Sequence, residues 1–419
     1  MILQEKKIAE HNDSRVVAHQ KKYKFLANVL KSEGLDPKKI VTKIKDFQIA
    51  IPSWALSTGG TRFGRFPGKG EPTTFEQKME DIGLLHTLNR SSGAVSMHIP
   101  WDTPKDVNKV KALASQFGIK FDAMNSNTFQ DQPGQKLSYK FGSLCHTDAS
   151  VRKQAIDHNL DVIKIGKEVG SKSLTVWLAD GANFPGQQHQ RKSFERTLES
   201  LREIYKALPD DWMIFTEHKP FEPAFYSTVV QDWGSSLLLA QKLGKKAACL
   251  VDLGHHLPNA NIEQVVSRLM MENRLGGFHF NDSKYSDDDL TVGSIKPYQL
   301  FLIFNELVDG VRYGDLSKSK LGWMIDASHN TKDPLEDLLQ SVEAIKIAYA
   351  QALIIDRKAL EAAQEANDAV KAQEIMQHAF RTDVRPLLAE ARLMAGAAID
   401  PIVAYRENKC REALVKERG

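Results

Sequence analysis

The stretch AACLVDLGHHLPNANIEQVVSRLMMENRLGGFHFND (247–282) holds two apolar runs, AACLVDLGHH (247–256) and GGFHFND (276–282), separated by a helix-length segment. Both runs end in metal-ligand types of side chain. Runs that are apolar on both faces and joined through a helix are what parallel strands buried between helices require. Outward from this unit the pattern recurs at FQIAIPSW (47–54), VSMHIPWD (95–102), FDAMNSN (121–127), SLTVWLAD (173–180), MIFTEHK (213–219) and WMIDASHN (323–330). Helix-length segments alternate with them at 74–90, 104–117, 149–170, 190–208, 226–243, 261–274, 297–309 and 335–353. In the third, Ile156, Leu160, Ile163 and Gly166–Lys167 follow the helical period of a face packed on a sheet. Eight strand–helix units in a row predict an α/β fold, a (β/α)8 TIM barrel over 47–353, with its chemistry at the C-terminal strand ends.

The flanks read differently. Residues 1–46 form an N-terminal helical segment, in which VVAHQKKYKFLANVLKSEG ends on a glycine suited to close a helix. Residues 354–419 are rich in Ala, Glu, Gln and Leu and lack strand signals, which predicts a C-terminal helical extension placed in subunit contacts. The loop LSTGGTRFGRFPGKGEP (56–72) is much longer than a usual strand-to-helix connection and has the length of a lid or subunit contact. It matches neither a GxxxxGK[ST] nor a GxGxxG phosphate motif.

The bulk properties exclude several classes. A net charge of +3 over 419 residues gives no case for a nucleic-acid or membrane partner. Cys145, Cys249 and Cys410 share no zinc or disulfide spacing. The N-terminus lacks a basic stretch followed by an apolar one, and no apolar run is long enough to span a bilayer. The expected setting is the cytoplasm.

His98, Glu217, Asp252, His255, His279, Asp282 and Asp326 all fall at or just past predicted strand ends. Glu217, Asp252, His279 and Asp326 close four successive strands, so three carboxylates and an imidazole can meet around one divalent ion, a donor set suited to Mn²⁺, Mg²⁺ or Co²⁺. Taken singly, each is more simply a helix cap or the partner of a lysine. A second ion has candidate ligands in Asp252, His255, Asp287 and Asp289, with Glu217 bridging. The competing reading of Asp287–Asp289 is a solvated acidic loop or a helix cap. Lys219 leaves β-strand five on the same face as Glu217 and can bind a substrate hydroxyl, stabilise an oxyanion, or balance charge. His256 reads as a residue that supports the ligands or packs, rather than as a third imidazole ligand. Trp54, Trp101 and Trp177 surround the same rim, and aromatic faces beside polar groups suit the apolar C–H face of a sugar. Asn125 and Asn127 can add hydroxyl contacts or serve as caps.

With those residues in place, the chain resembles the L-rhamnose isomerase family, in its bacterial branch with broad aldose–ketose specificity. The resemblance lies in STGGTRFGRFPG (57–68), HIPWD (98–102), FDAMNSNTF (121–129), GSLCHT (142–147), LTVWLADGANFPGQ (174–187), EHKPFEPAFYSTVVQDWG (217–234), CLVDLGHHLPN (249–259), GGFHFNDSKYSDDDL (276–290), FNELVD (304–309) and MIDASHN (324–330), and runs from about residue 10 to 405. It implies a homotetramer with two divalent ions, Mn²⁺ above Co²⁺, Mg²⁺ or Zn²⁺. One ion would sit on Glu217, Asp252, His279 and Asp326, and the other on Glu217, His255, Asp287 and Asp289. The resemblance also implies that Lys219, His98, Trp177 and Ser328 contact or support the substrate. Phe63 would enter a neighbouring subunit's site. DGVRYGDLSKSKLGW (309–323) and ALS (55–57) depart from the family pattern, which bears on the preferred sugar.

The implied activity interconverts an aldose and a ketose, L-rhamnose and L-rhamnulose first, with other aldoses such as D-allose. Asp326, Lys219 and His98 are the expected catalytic residues, and both a hydride shift and an enediol route stay open. The alternative is a ketose 3-epimerase on the same kind of barrel, which would need two carboxylates free to act as bases on opposite sugar faces. A nuclease would need a basic face, and a sugar-binding module would not need so many metal-type ligands.

Overall fold

Each apolar run becomes a strand that stops short of the end of the run, so the metal-ligand types of side chain fall on the last strand residues or just past them. In the computed structural model, residues 3–57, 66, 68–221, 225–285, 287–314, 321–327 and 331–419 are described. The strands are β1 (Ala50–Pro52), β2 (Ala94–Ile99), β3 (Lys120–Ser126), β4 (Ser173–Trp177), β5 (Met213–Glu217), β6 (Ala247–Asp252), β7 (Leu275–Phe280) and β8 (Gly322–Ile325). All pair in parallel and close in the order β1-β8-β7-β6-β5-β4-β3-β2. The chain therefore folds as the predicted (β/α)8 barrel.

Helices Phe75–Asn89, Val107–Phe117, Ala149–Val169, Gln190–Ala207, Trp233–Leu243, Ile262–Met271, Pro297–Tyr313 and Pro334–Leu353 follow the strands in turn. One expectation is corrected here. The segment 226–243 is helical only from Trp233. Before it, Ser227–Thr228 pairs antiparallel with Gly181–Ala182 in a short ribbon above the barrel. The β-branched run Thr228–Val230 disfavours helix, and the Asp232 side chain accepts from Ser235 N at 2.7 Å, starting the helix there. A second correction concerns Ala149–Val169. Its buried face is Val151, Ala155, Asn159, Val162, Ile163, Gly166 and Val169; Ile156 and Leu160 are half-buried and pack against the same core, so only Lys167, which is exposed, leaves the expected face.

Inside the barrel the filling residues are Ala50, Ala123, Phe215, Ala248, Leu250 and Met324. One large ring among small side chains needs room from its neighbours, and β7 supplies it through Gly276 and Gly277. A Cβ on Gly276 would lie 2.5 Å from the Phe215 ring, and one on Gly277 would lie 2.4 Å from Gly322 O. Cys249 is a buried strand residue, as expected.

A second core forms outside the barrel. Leu26, Leu30, Ile40, Val41 and Ile44 from the N-terminal helices pack with Val384, Leu387, Leu388 and Ala391 from the C-terminal ones. Gly34, at φ 81°, closes the helix Val16–Ser32 as its position in sequence suggests. The last helix, Cys410–Arg418, returns to the barrel, where Arg418 pairs with Asp81 at 2.8 Å. Among the described residues no single helix is long and apolar enough to cross a membrane.

Gly277→Ala is expected to destabilise the protein by roughly 1–3 kcal/mol, because the added carbon meets backbone that cannot rotate away. Denaturant unfolding measures this, and an unchanged midpoint would contradict the close packing of β7 on β8.

Candidate metal centre

Strand register decides which side chains meet above the barrel. Trp177 lies beside Glu217 where β4 meets β5, and Asp252 lies beside His279 where β6 meets β7. Asp326 follows β8 directly, with its backbone N donating to Phe280 O at 2.8 Å. One ligand atom from each of Glu217, Asp252, His279 and Asp326 lies within 4.8 Å of the other three. The His279 imidazole is at the centre. Its Nδ1 is 3.0 Å from Glu217 Oε1, 3.5 Å from Asp326 Oδ2 and 3.7 Å from Asp252 Oδ2.

The electrostatics are those of a site built for a cation. Burial raises the Asp252 carboxyl well above the usual carboxylate range, and the nearby charges of Asp326 and Glu217 push it the same way. Burial alone would depress His279, but the charge and hydrogen bond of Glu217, then Asp326 and Asp252, raise it to about 9. Asp252 Oδ2 is buried and accepts no hydrogen bond from the described residues. Such an oxygen fits a metal ligand, and three carboxylates with one imidazole are the donor set of a hard or borderline divalent ion.

A second group adjoins the first. Asp252, His255 and Asp287 also place ligand atoms within 4.8 Å of one another. His255 Nε2 is 2.8 Å from Asp287 Oδ1, and its Nδ1 is 3.4 Å from Glu217 Oε1. Asp252, rather than Glu217, completes the compact triad. Asp289 stays outside that triad but lines the cavity and lies 3.4 Å from Asn281 Nδ2. The acidic run works by alternation. Asp287 and Asp289 are buried in left-handed backbone, φ 48° and 47°, while Asp288 caps Lys284 N and Tyr285 N from outside. Left-handed backbone is strained for a residue with a Cβ; here it turns two carboxylates inward.

Lys219 is fully buried, with its ammonium paired to Asp287, 3.4 Å from His255 Nε2 and 5.0 Å from the centre of the Trp177 ring. It stands within the charge cluster, as the charge-balancing reading expects, and is not among the residues lining the cavity. Trp54, beyond its expected platform role, donates from Nε1 to Asp326 Oδ1 at 2.7 Å.

A cavity opens above these groups, walled by Trp54, His98, Phe129 and Trp177 on its aromatic side. Trp101, expected there, is not in the wall. Its ring backs His98 at 4.4 Å, and Phe129 takes the aromatic position instead. Burial holds His98 down to about 3, so the ring is neutral. Asp102 fixes the same corner, accepting from His98 N at 2.8 Å, from Lys78 Nζ at 2.7 Å and from Ser53 Oγ.

Other expected residues have structural duties. Asn125 lines the cavity, but its amide donates to Ser96 Oγ and Met97 O. Asn127 is buried away from the wall. Asp282 organises its own loop, accepting from Ile295 N at 2.6 Å and Lys296 N at 2.8 Å. His256 packs on His218 at 4.8 Å, as expected. Asn281, overlooked in the sequence, donates to Asp252 Oδ1 at 2.9 Å. Its position two residues after His279 was the available signal. Ser126, Thr175 and Phe129 were also missed. Phe63 and Ser328 lie outside the described residues.

A cationic imidazole must lose its proton before it binds a metal. Because His279 is charged at neutral pH without an ion, loading with Mn²⁺ is expected to release about one proton or more. Calorimetric titration in two buffers of different ionisation enthalpy measures the release. Identical heats in the two buffers would contradict the assignment.

The comparisons with known proteins agree with this geometry. A family model described as a xylose isomerase-like TIM barrel matches residues 90–311. A probable sugar isomerase of Rhizobium meliloti is 55% identical over 97% of this chain and 94% of its own length. The L-rhamnose isomerase of Listeria monocytogenes is 22% identical over 78% of this chain and 84% of its own length, so likeness to that enzyme is distant. Among solved structures, L-ribulose 3-epimerase shares the fold, with a TM-score of 0.55 at 12% identity, over 77% of this chain and 98% of that one. This chain belongs to the xylose isomerase-like TIM-barrel family.

Proposed function

We propose that the protein is a metal-dependent aldose–ketose isomerase, with L-rhamnose and L-rhamnulose as its first pair and D-allose among its further substrates. The observation that carries this reading is the cavity itself, with an acid–imidazole cluster on one wall and three aromatic rings and a neutral histidine on the other. A small sugar has the same two sides, hydroxyls for the cluster and a C–H face for the rings. The Rhizobium meliloti relative, named as a probable sugar isomerase, supports the class. The Listeria monocytogenes relative, named as an L-rhamnose isomerase, supports the substrate.

Glu217, Asp252, His279 and Asp326 would hold one divalent ion. Asp252, His255 and Asp287, with Glu217 and Asp289 adjacent, would hold a second. Mn²⁺ is the proposed metal, ahead of Co²⁺, Mg²⁺ or Zn²⁺. A divalent ion supplies Lewis-acid polarisation of carbonyl and hydroxyl oxygens. The chain's own groups do the rest. Trp54, Phe129 and Trp177 orient the sugar and exclude water. His98, being neutral, can bond a hydroxyl without adding charge.

Asp326 is the most open carboxylate of its cluster, with a side chain 20% exposed against 3% for Glu217 and none for Asp252. One of its oxygens accepts from Trp54, and the proposed role is that Asp326, or a water it orients, would take and return the proton of the sugar O2 hydroxyl. Lys219 offsets the carboxylate charge beside Asp287. The proposal extends to a homotetramer acting on a free sugar in the cytoplasm.

Glu217→Gln and Asp326→Asn are each expected to lower kcat by roughly 10²–10⁴-fold with unchanged circular dichroism. An assay with Mn²⁺ over L-rhamnose, L-mannose, D-allose and L-lyxose checks class and substrate together. Ketose formation that chelation abolishes is the expected result. Near-normal turnover in either variant would remove the site. Conversion of one ketose to its C3 epimer, with no aldose formed, would make the protein a 3-epimerase instead.

A further inference from the structure

The opposite face of the barrel carries a second cluster of charge, and its sign is positive. Where the chain enters β1 and β2, a small polar pocket lies between the barrel and the outer helices. Its wall includes Lys45, Arg90, Lys346 and Arg392, with Glu343 as the carboxylate among its described residues. Lys45 pairs with Asp46 at 3.3 Å and Arg392 with Glu343, which leaves Arg90 and Lys346 without a carboxylate partner among the described residues, an unfavourable balance in a partly buried space.

The existing partners do not exhaust these donors. Arg392 pairs with Glu343 and donates Nη2 to Ile399 O at 2.8 Å, yet its Nε is buried and donates to nothing among the described residues. Arg90 Nε is likewise buried and unused. Lys346 is 4% exposed and gives two of its three donors to Ile44 O and Phe47 O. Burial, followed by the charge of Arg392, lowers the Lys346 amine to about 7, while the charges of Glu343 and Asp46 act in the opposite direction. Asn89 and Ser91 on the same wall add polar surface.

We propose that this cavity binds a tetrahedral oxyanion, free or as the phosphoryl end of a small metabolite, between Arg90 and Arg392. Two guanidinium forks and an ammonium match the oxygens of such an anion in charge and geometry. The site stands at the N-terminal strand ends, so it is separate from the catalytic mouth and does not depend on the sugar or the metal assigned there. An anion in it would bridge the segment before β2 to the helix Arg385–Met394, and so tie the barrel to the outer helical layer.

The test titrates sodium sulfate against sodium chloride at matched ionic strength into the metal-loaded protein and follows the unfolding midpoint. Sulfate is expected to raise the midpoint where chloride does not. Arg90→Gln should weaken the response by about tenfold or more, Arg90→Lys should keep part of it, and both should retain turnover. Glu217→Gln should respond as the parent does. Parallel arms with inorganic phosphate and a hexose phosphate tell a free ion from a metabolite by which acts at lower concentration. An equal response to sulfate and chloride, an undiminished response in Arg90→Gln, or a response lost in Glu217→Gln would overturn the proposal.

Discussion

Three carboxylates share one imidazole at the mouth of the barrel, and their mutual repulsion is the constraint on which the rest of the site depends. Asp252 is fully buried between Glu217 and Asp326, with His279 as the positive group between them. Like charges at this spacing in a poorly solvated place are stable only with compensating positive charge. A proton on His279 supplies one unit. A divalent ion supplies two and frees the imidazole to act as a ligand. Lys219 plays the corresponding part for Asp287.

The barrel makes this arrangement rigid. Parallel pairing fixes Asp252 against His279, and the bond from Asp326 N to Phe280 O fixes the eighth strand end beside them. Close approach of β7 and β8 at Gly277 and Gly322 sets the same pairing at the start of the two strands. Trp54 then links β1 to β8 through Asp326, and Asp102 links β1 to β2 through Ser53 and the His98 backbone. Aromatic wall and acid cluster are thus held by one set of bonds across the strand ends.

The fold was legible because parallel strands buried on both faces must be apolar throughout, and their polar ends stand out against that background. The cluster was legible for the same reason, since Glu217, Asp252, His279 and Asp326 each end such a run. Loops were harder. Trp101 and Phe129 sit in connections with no periodicity, and only the folded path shows that one lines the cavity while the other backs His98. The alternation in Asp287–Asp289 could be guessed, but its dependence on left-handed backbone could not. Asp282 looked like a ligand by position and proved to be a loop anchor, because Ile295 and Lys296 bring their backbone N–H groups to it.

The central claim is that one divalent ion sits among Glu217, Asp252, His279 and Asp326. The most direct measurement is anomalous diffraction at the manganese edge from crystals of the Mn²⁺-loaded protein. A peak in contact with all four side chains is the predicted result. The claim fails if active crystals show no peak there, or if the four side chains are turned away from one another.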